Sequence, residues 1–410
     1  MRQAGWPAPA GPAGAAAPAG ALHGVRVLDL SRVLAGPYAT MVLADLGADV
    51  IKVERPGTGD DTRHWGPPFR GDDAAYFLSV NRGRRSLALD LTRHDHREVL
   101  GRLMDGADVV VENFLPGQLE RLALDPDVEL AARPGLVWAS IRGAGGDGPD
   151  AALPGYDAMV QARAGLMSIT GPPGGPPVKV GVAVGDIVAG LHAAVAVLAA
   201  LRHRDRTGQG QRIEVPLLET TVALLANQAG NYLIGGQVPA PLGNHHPNIA
   251  PYGAYACADG LVMIGAGNDL HFRRLCEALG RDDLAADPRL ASNAGRVRNA
   301  GQLAAELEAT LTGRPVAHWL RRLRAAGVPA APVLTVEGVF ADEHVRAVGL
   351  RAEVQHPTGP LPQVRSPVRL SATPARLGPA PPLLGEHTEA ILGALGYDRR
   401  EIAALLAGQS

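Results

Sequence analysis

The sequence is poor in cysteine and nearly balanced in charge. Its 410 residues include two cysteines, Cys257 and Cys276, which are too few for a disulfide framework or a cysteine metal site and favour the reducing cytoplasm. The formal charge of −2 at pH 7 gives no electrostatic reason to expect binding to nucleic acid or to a membrane. What remains is an ordinary globular composition, 46% hydrophobic and 20% charged, in a chain long enough for two domains.

Long uninterrupted apolar runs are also missing. The longest run, KVGVAVGDIVAGLHAAVAVLAAL (179–201), is broken by Lys179, Asp186, His192 and several glycines, so a buried core helix is favoured over a membrane span. Residues 1–20 have neither the strongly positive start nor the leucine-rich centre of a secretory leader. Their Ala/Pro/Gly-rich composition predicts a disordered tail.

The glycine fingerprint of dinucleotide-binding proteins is absent as well. A strand (25–30), a helix (36–47) and a second strand (49–54) are typical of a βαβ unit, with Pro37 opening the helix and Gly47 ending it. The first turn of this unit, DLSRVLAGP, is not G-x-G-x-x-G. A nicotinamide or flavin cofactor is therefore not indicated.

The rest of the chain continues the alternation of strands and helices. Apolar strands at 107–114 and 135–143 extend the first unit into an open parallel sheet. Thr388 is the expected N-cap of the closing helical segment. The pattern predicts a helix at 187–202, a strand at 212–217 and a second helix at 217–234. A polar functional loop or domain crossing (234–253), a hairpin (254–268) and a mainly helical block (270–328) follow. The chain then has an extended proline-rich segment (355–384) and closes with one or two helices (387–407).

We therefore predict an α/β protein: a Rossmann-like open parallel sheet forms a large domain, and a smaller central α+β domain is inserted into it. The expected order begins with a disordered tail (1–22) and the large α/β domain (23–220). A linker helix with a functional loop (221–250), the small domain (251–340) and a C-terminal segment that returns to the large domain (341–410) follow.

Asp186 is the one acidic residue in the longest apolar run, directly before the predicted helix. The simplest interpretation is an N-cap, whose carboxylate accepts the first free N–H groups of the helix. The same N–H groups and the helix dipole would keep the carboxylate ionised. The small residues Gly181, Ala183 and Gly185 would let a substrate carbonyl or an oxyanion-binding backbone approach, and carboxylates do serve as covalent nucleophiles.

Several segments in the right order resemble the class III coenzyme A transferases of the CaiB/BaiF type, the family of carnitine–CoA transferase and formyl-CoA transferase. The resemblance covers essentially all of 24–408. It rests on RVLDLSRVLAGPYATMVLADLGADVIKVERPGTGDDTRHW, SVNRGRRSLALDL, ADVVVENFLPGQLERL, PGYDAMVQARAGLMSITG, PPVKVGVAVGDIVAGLHAA and PPLLGEHTEAILGALGY.

The resemblance implies a function and a nucleophile. In that family the aspartate of the G-D pair before a helix, here Asp186, attacks an acyl-CoA to form a mixed anhydride. Free CoA thiolate then converts the anhydride to an aspartyl-CoA thioester, from which an acceptor carboxylate takes the CoA. The implied partners are acyl-CoA and a carboxylic acid, with CoA as a substrate, no tightly bound cofactor and no metal. The resemblance also implies a homodimer of two interlocked ring-like subunits, with 355–384 as the possible crossing.

Taken singly, each arginine that matches a CoA contact of the family is better explained as a solvated surface charge, and Phe114 as a core aromatic. Arg55, Phe114 and Arg121 are favoured as contacts because they follow predicted strand ends, where open α/β sheets bind ligands. The implied contacts are Leu34, Ala35, Arg55, Leu89, Asp90, Leu91, Thr92, Asn113, Phe114, Leu115, Arg121, Arg142, Gly143 and Ala144.

Two alternatives stay open. A sister group of the same fold racemises 2-methylacyl-CoA thioesters with a histidine in G-H-D, where this chain has Tyr156 in G-Y-D; a tyrosine is a poor base near neutral pH, which favours acyl transfer. The following Asp157 is expected to cap its own helix. The second alternative is a non-catalytic CoA-binding protein.

The loop LGNHHPN (242–248) falls where formyl-CoA transferase carries a run of glycines. Only Gly243 matches, and the chain has Asn244, His245 and His246 instead, which puts oxalate and formate in doubt as the natural pair. Adjacent histidines make a poor metal pair and are often simply solvated. Our hypothesis is that one of them, with Asn244, contacts the distal carboxylate of a dicarboxylyl group such as succinyl.

Overall fold

The computed structural model describes residues 6–7, 20–146, 148–151 and 153–407. The chain divides into two compact units. The large unit comprises Met1–Ala164, Gly181–Leu224 and His344–Ser410, and the small unit comprises Gly165–Val180 and Leu225–Glu343. Each unit has its own hydrophobic core.

The strands of the described residues fall into one large sheet and three small ones. In chain order they are β1 (Arg26–Asp29), β2 (Asp49–Glu54), β3 (Phe69–Arg70), β4 (Asp73–Ala74), β5 (Arg84–Ala88), β6 (Val109–Glu112), β7 (Val137–Arg142), β8 (Arg212–Pro216), β9 (Tyr252–Ala256), β10 (Leu261–Gly265), β11 (Ala330–Pro332), β12 (Arg351–His356) and β13 (Gly359–Val364).

The helices connect and cover these strands. In chain order they are α1 (Ala35–Asp45), α2 (Ala75–Val80), α3 (His94–Gly106), α4 (Gln118–Arg121), α5 (Pro126–Ala132), α6 (Asp157–Arg163), α7 (Val184–Thr207), α8 (Leu217–Ala223), α9 (Ala226–Leu233), α10 (Asp269–Leu279), α11 (Asp282–Ala286), α12 (Asn293–Arg298), α13 (Ala300–Leu311), α14 (Val316–Ala325), α15 (Val336–Ala341), α16 (Glu343–Ala347), α17 (Thr388–Ala394) and α18 (Arg399–Leu406).

The large sheet is parallel, and its described strands have the order β5-β2-β1-β6-β7-β8. Side chains alternate across it: Val27 of β1 belongs to the core on one face, with α1 and α7, whereas Leu28 belongs to the core on the other, with α3, α17 and α18. Both faces are covered by helices, as a buried parallel sheet requires. The predicted α/β class with an open parallel sheet is confirmed.

The strand order reverses its direction at β1, because the chain builds the sheet outward to β5 and then returns to add β6 beside β1. This is the order of the Rossmann fold. In such sheets the loops after the two central strands diverge and leave a crevice at the carboxyl ends of the strands. The fold therefore directs attention to the residues that follow β1 and β6.

The small unit contains the predicted hairpin and the predicted helical block. Strands β9 and β10 form the antiparallel hairpin, with β11 added beside β10, and α10–α14 supply the helices. The apolar core of this unit is centred on Tyr255, Phe272 and Trp319.

Three element boundaries differ from the sequence prediction. The predicted helix 217–234 is two helices, α8 and α9, and Ala226 at the start of α9 has a positive φ of 42°. Helix α1 begins at Ala35, two residues before Pro37. Thr388 is not an N-cap: it lies inside α17, and its hydroxyl accepts a hydrogen bond of 3.0 Å from the Ala88 N–H at the end of β5.

The predicted tail lies mostly outside the described residues. Of its first part, the structure describes Trp6 and Pro7, which contact the start of the sheet. The Trp6 indole N–H donates to Asp49 over 2.8 Å, and Arg85 donates to the Pro7 carbonyl over 3.0 Å.

Helix α7 is, by length and apolar composition, long enough to cross a membrane. Its residues Ala189, Ala193 and Val197 nevertheless belong to the core beside the sheet. Core helices satisfy the same length and composition test. The predicted buried core helix therefore describes α7 better than a membrane span.

Candidate active site

The turn after β1 is joined to the loop after β6 by one side chain. The Asn113 Oδ1 accepts the Arg32 N–H over 2.9 Å, and the Asn113 Nδ2 donates to the Arg32 carbonyl over 2.7 Å. This reciprocal pair fixes the backbone of Arg32 at the point where the strand order reverses.

The same turn contains a strained residue. Val33 has a φ of 69°, which is unfavourable for a β-branched side chain and must be compensated by its surroundings. Both carboxylate oxygens of Asp60 accept the Val33 N–H over 3.2 Å. The strain is held directly before Leu34 and Ala35, where α1 begins.

Asp60 is itself held by a buried cation. The Lys52 ammonium lies 2.9 Å from the Asp60 carboxylate and donates to the Ser31 carbonyl over 2.7 Å, with both charged side chains fully buried. Burial opposes the charge of Asp60, but Lys52 and the hydrogen bonds from Thr62 outweigh it and keep the pKa of Asp60 below its ordinary value. The floor of the crevice is thus a satisfied charge network.

Asp186 is the third residue of α7, and the N-cap position is taken by Ala183. The predicted N-cap role of Asp186 is therefore wrong. Among the described residues of the large unit, no group donates a hydrogen bond to its carboxylate. The side chain is half-buried in the wall of a cleft.

The N-terminus of α7 is capped by Asp157, across 28 residues of sequence. Its Oδ1 accepts the Gly185 N–H over 2.8 Å, and its Oδ2 accepts from the buried Gln161 amide over 2.7 Å. Asp157 is the first residue of α6 and does not cap that helix, contrary to the prediction. A Cβ on Gly185 would lie 3.0 Å from both Asp157 Oδ1 and Thr221 Oγ1, so this glycine allows helix packing.

The environment of Asp186 raises its pKa to about 7. Burial is the larger cause, because it disfavours the charged form, and the negative charge of Asp157 adds to it. This differs from the expectation that the helix start keeps the carboxylate fully ionised. The Gly185 N–H in the first turn of this helix is bound by Asp157.

Two aromatic side chains of the large unit form a pair. Trp65 and Tyr76 meet edge to face with ring centroids 5.5 Å apart. Burial, followed by the negative charges of Asp186, Asp157 and Asp60, raises the pKa of Tyr76 to about 12. Tyr76 therefore keeps its proton near neutral pH.

Two clefts follow the carboxyl ends of the sheet. The Asp186 cleft has a volume of about 470 Å³ and the Arg55 cleft about 360 Å³; Arg32 and Phe114 line both. The predicted residues in the Asp186 cleft are Asp186, Leu34, Ala35, Asn113, Phe114, Leu115, Arg142 and Gly143. The predicted residues in the Arg55 cleft are Arg55, Leu89, Asp90, Leu91, Thr92 and Phe114.

Two predicted CoA contacts line neither cleft. Arg121 is exposed at the end of α4, and Ala144 is half-buried after β7. Gly143 does line the Asp186 cleft, and a Cβ there would lie 2.6 Å from the Gly155 nitrogen, so the two backbones need glycine to approach each other.

The predicted substrate loop belongs to the small unit. The exposed Asn244 follows Gly243, whose N–H donates to the Gly171 carbonyl over 2.9 Å. The His245 ring is 5.6 Å from Tyr255, edge to face, and the His246 Nδ1 accepts the Asn248 N–H over 3.0 Å.

Several cleft residues are not among those predicted from the sequence. Arg32, Asp61 and Trp65 line the Asp186 cleft, and Gln118 lines the Arg55 cleft. Tyr156, which the comparison of G-Y-D with the racemase motif singles out, also lines the Asp186 cleft. Arg32 and Asp61 follow the ends of β1 and β2, so their position after a strand was the usable signal. Within the described ranges, no group of three or more His, Cys, Asp or Glu side chains is placed to hold a metal ion.

Comparison with known proteins decides the family. A family model described as CoA-transferase family III matches residues 22–388. The chain belongs to CoA-transferase family III. This confirms the predicted family and a transferase that exchanges CoA between an acyl-CoA and a free carboxylic acid, and it leaves the non-catalytic alternative without support.

Relatives of this CoA-transferase align over nearly their whole length. A succinate–glutarate CoA-transferase of Agrobacterium fabrum is 45% identical over 381 residues, which are 91% of this chain and 95% of that protein. A succinyl-CoA:mesaconate CoA-transferase of Haloarcula marismortui is 42% identical over 390 residues, 92% of this chain and 97% of that one. The crystal structure of a CAIB/BAIF family protein from Brucella suis has a TM-score of 0.83 at 44% identity, covering 92% of this chain and 100% of that one.

Proposed function

We propose that Asp186 is the covalent nucleophile of this CoA-transferase. One observation carries the proposal: the Asp186 carboxylate lines the cleft at the carboxyl ends of the sheet, and no described group of the large unit occupies its oxygens. A carboxylate that is poorly solvated and has a raised pKa is a better nucleophile than one held by hydrogen bonds. It is available in the charged form from about neutral pH upward.

The proposed reaction has two symmetric halves. An Asp186 oxygen attacks the donor thioester carbonyl, and CoA leaves as the thiolate, which gives a mixed anhydride. The thiolate attacks the Asp186 carbonyl of the anhydride, so the donor acid leaves with the bridging oxygen and CoA remains as an aspartyl thioester. An acceptor carboxylate then attacks this thioester, and the released thiolate attacks the acceptor carbonyl, which restores Asp186. No net oxidant, water or phosphate is consumed.

The geometry supports an extended path for CoA. We propose that the thioester end lies in the Asp186 cleft with Leu34, Ala35, Asn113, Phe114, Leu115, Arg142 and Gly143, and that the nucleotide end lies in the Arg55 cleft with Arg55 and 89–92. Arg121 and Ala144 remain proposed contacts farther along. CoA is then a substrate that enters and leaves, and no tightly bound cofactor is part of the scheme.

We propose dicarboxylic acids as substrates. The relatives named above carry succinate, glutarate and mesaconate in their names, and all three are dicarboxylates. We propose that Asn244, with His245 or His246, contacts the distal carboxylate. Replacing both histidines with alanine would then raise KM for dicarboxylates; an unchanged KM for every acid tested contradicts this role.

We further propose a cytoplasmic homodimer of interlocked subunits. The family resemblance motivates it, and exposed apolar side chains such as Val195 of α7 (65% exposed) and Ile234 after α9 (92% exposed) support a covering partner.

A coupled assay tests the transferase proposal. The purified protein with succinyl-CoA should form glutaryl-CoA only when free glutarate is present, and Asp186→Asn should lower the rate at least about 1,000-fold, as expected for loss of a nucleophile. A racemase would instead exchange the α-proton of a 2-methylacyl-CoA in deuterium oxide without any free acid.

A further inference from the structure

Arg32 lies where the two clefts meet. It lines the Asp186 cleft and the Arg55 cleft, and Phe114 is the other residue that lines both. Its backbone is immobilised by the reciprocal hydrogen bonds to Asn113, at 2.9 and 2.7 Å. The position of this residue is therefore fixed by the fold.

The side chain of Arg32 is held much more weakly than its backbone. Among the described residues, its guanidinium has one partner, Asp61, at 3.1 Å. The two side chains are 33% and 40% exposed, so water screens their attraction and the pair contributes little on its own. The Arg32 guanidinium can therefore exchange Asp61 for a ligand of higher charge.

The other cations that line the clefts are differently placed. Lys52 is fully buried and bound to Asp60 and Ser31. Arg142 donates to the Phe114 carbonyl over 2.9 Å and lies 3.2 Å from the buried Glu112 carboxylate. Arg55 is exposed but lines only the Arg55 cleft. Arg32 is thus the accessible guanidinium at the junction.

An extended CoA molecule has its pyrophosphate between the nucleotide and the pantetheine arm. If the nucleotide lies in the Arg55 cleft and the thioester lies at Asp186, the pyrophosphate passes the junction. A guanidinium matches two phosphate oxygens with parallel N–H donors. We propose that Arg32 binds the CoA pyrophosphate and that Asp61 holds the guanidinium in place until the pyrophosphate replaces Asp61 as its partner. This inference rests on the proposed path of CoA.

Truncated thioesters test the assignment, because acyl-pantetheine lacks the pyrophosphate and the nucleotide. Arg32→Gln should raise KM for acyl-CoA about tenfold or more and leave KM for acyl-pantetheine unchanged, with kcat at saturating acyl-CoA changed less than about threefold. Asp61→Asn should lower KM for acyl-CoA at low ionic strength, because it removes the competing anion. Arg289→Gln is the control: this exposed arginine is paired with Asp287 at 2.7 Å, lines neither cleft, and should leave both KM values unchanged.

Calorimetric titration with CoA and with pantetheine provides a second readout that needs no turnover. Weaker binding of CoA, but not of pantetheine, by Arg32→Gln supports the proposal. An equal loss for both ligands assigns Arg32 to the pantetheine or acyl end and overturns it, as does no loss for either. Failure of the wild-type protein to transfer CoA, with CoA binding intact and sensitive to Arg32, would contradict the proposed reaction and leave the pyrophosphate contact standing. Circular dichroism and thermal melting verify that each variant is folded.

Discussion

At the scale of single residues, the state of Asp186 is set by its neighbours. Burial and the Asp157 charge raise its pKa to about 7, while the Asp157 carboxylate also accepts the Gly185 N–H in the first turn of α7. One carboxylate thus caps the helix and tunes the other. This division of roles between two aspartates is the main feature that the site adds to the sequence.

The raised pKa predicts a pH dependence. Because the nucleophile must be charged, kcat/KM should rise with pH along a limb whose apparent pKa is about 7. Asp157→Asn removes the negative charge but retains an oxygen that can accept the Gly185 N–H, so it lowers the pKa of Asp186. The limb should move to lower pH, and only part of the way to the ordinary pKa of an aspartate, since burial is the larger cause.

The measurement is a pH profile of kcat/KM for both proteins, with Asp127→Asn as a control for an exposed aspartate. A limb that stays in place in Asp157→Asn would show that the two charges do not interact.

Sequence reasoning found Asp186 and its helix but not the correct capping residue. The N-cap choice rested on adjacency, whereas in the structure the first turn of α7 is capped by Asp157, which lies 28 positions before Gly185 in the chain. Similarly, the role of Asn113 in fixing Arg32 spans 81 positions. Contacts of this kind depend on which strands become neighbours, and hydrophobic periodicity contains no such information.

At the scale of elements, helices α1 and α7 bring together two sides of the Asp186 cleft: Leu34 and Ala35 at the start of α1, and Asp186 in the first turn of α7. Their crossing requires Gly190, where a Cβ would lie 2.6 Å from the Ala35 carbonyl and 3.3 Å from the Tyr38 Cβ. The first of these atoms belongs to backbone that lines the cleft. Close packing of the crossing therefore positions Leu34 and Ala35 as well as stabilising the unit.

Gly190→Ala should destabilise the protein by about 1–3 kcal/mol, because the added methyl group meets backbone that cannot rotate away. It should also raise KM for acyl-CoA, since the start of α1 must shift. Gly101→Ala is the matched control: Gly101 lies inside helix α3, and a methyl group there would meet no described atom within 4 Å outside the helix's own backbone. That change should stabilise by about 0.5–1 kcal/mol. Chemical denaturation measures both effects, and equal effects of the two substitutions would refute the packing argument.

Most strands and helices were predictable because their apolar patterns are strong. β1 and β2 fall where the pattern places them, α1 does so to within two residues, and the hairpin of β9 and β10 is also where it was predicted. The break between α8 and α9 was not predictable, since residues 223–226 are apolar helix formers and no glycine or proline interrupts them. Local propensity there favours one helix, and packing decides otherwise.

At the scale of the whole molecule, interlocked subunits have a physical signature. Linked rings cannot separate unless one of them opens, so dissociation requires unfolding. We expect a dimer by size-exclusion chromatography with light scattering, and no exchange of subunits between tagged and untagged dimers under native conditions. Exchange should appear after unfolding and refolding the mixture. A monomer at all concentrations, or rapid exchange under native conditions, would contradict the interlocked dimer.

The parallel sheet of the large unit and the family membership could be inferred from sequence, because the motifs follow the strand ends in order. The acyl specificity could not, because it depends on the geometry of the side chains in the pocket, which is fixed only by the fold; the edge-to-face contact of Trp65 with Tyr76 is an arrangement of this kind.

The most direct test of the account is intact-mass analysis of the protein mixed with succinyl-CoA. The account predicts a species heavier by CoA less one water, which borohydride reduces and hydroxylamine cleaves, with peptide mapping placing the change on Asp186. Asp186→Ala should show no adduct, whereas Asp157→Asn should still form it. An adduct on another residue, or none with a broad panel of acyl-CoA thioesters under conditions where CoA is transferred, would contradict Asp186 as the covalent nucleophile.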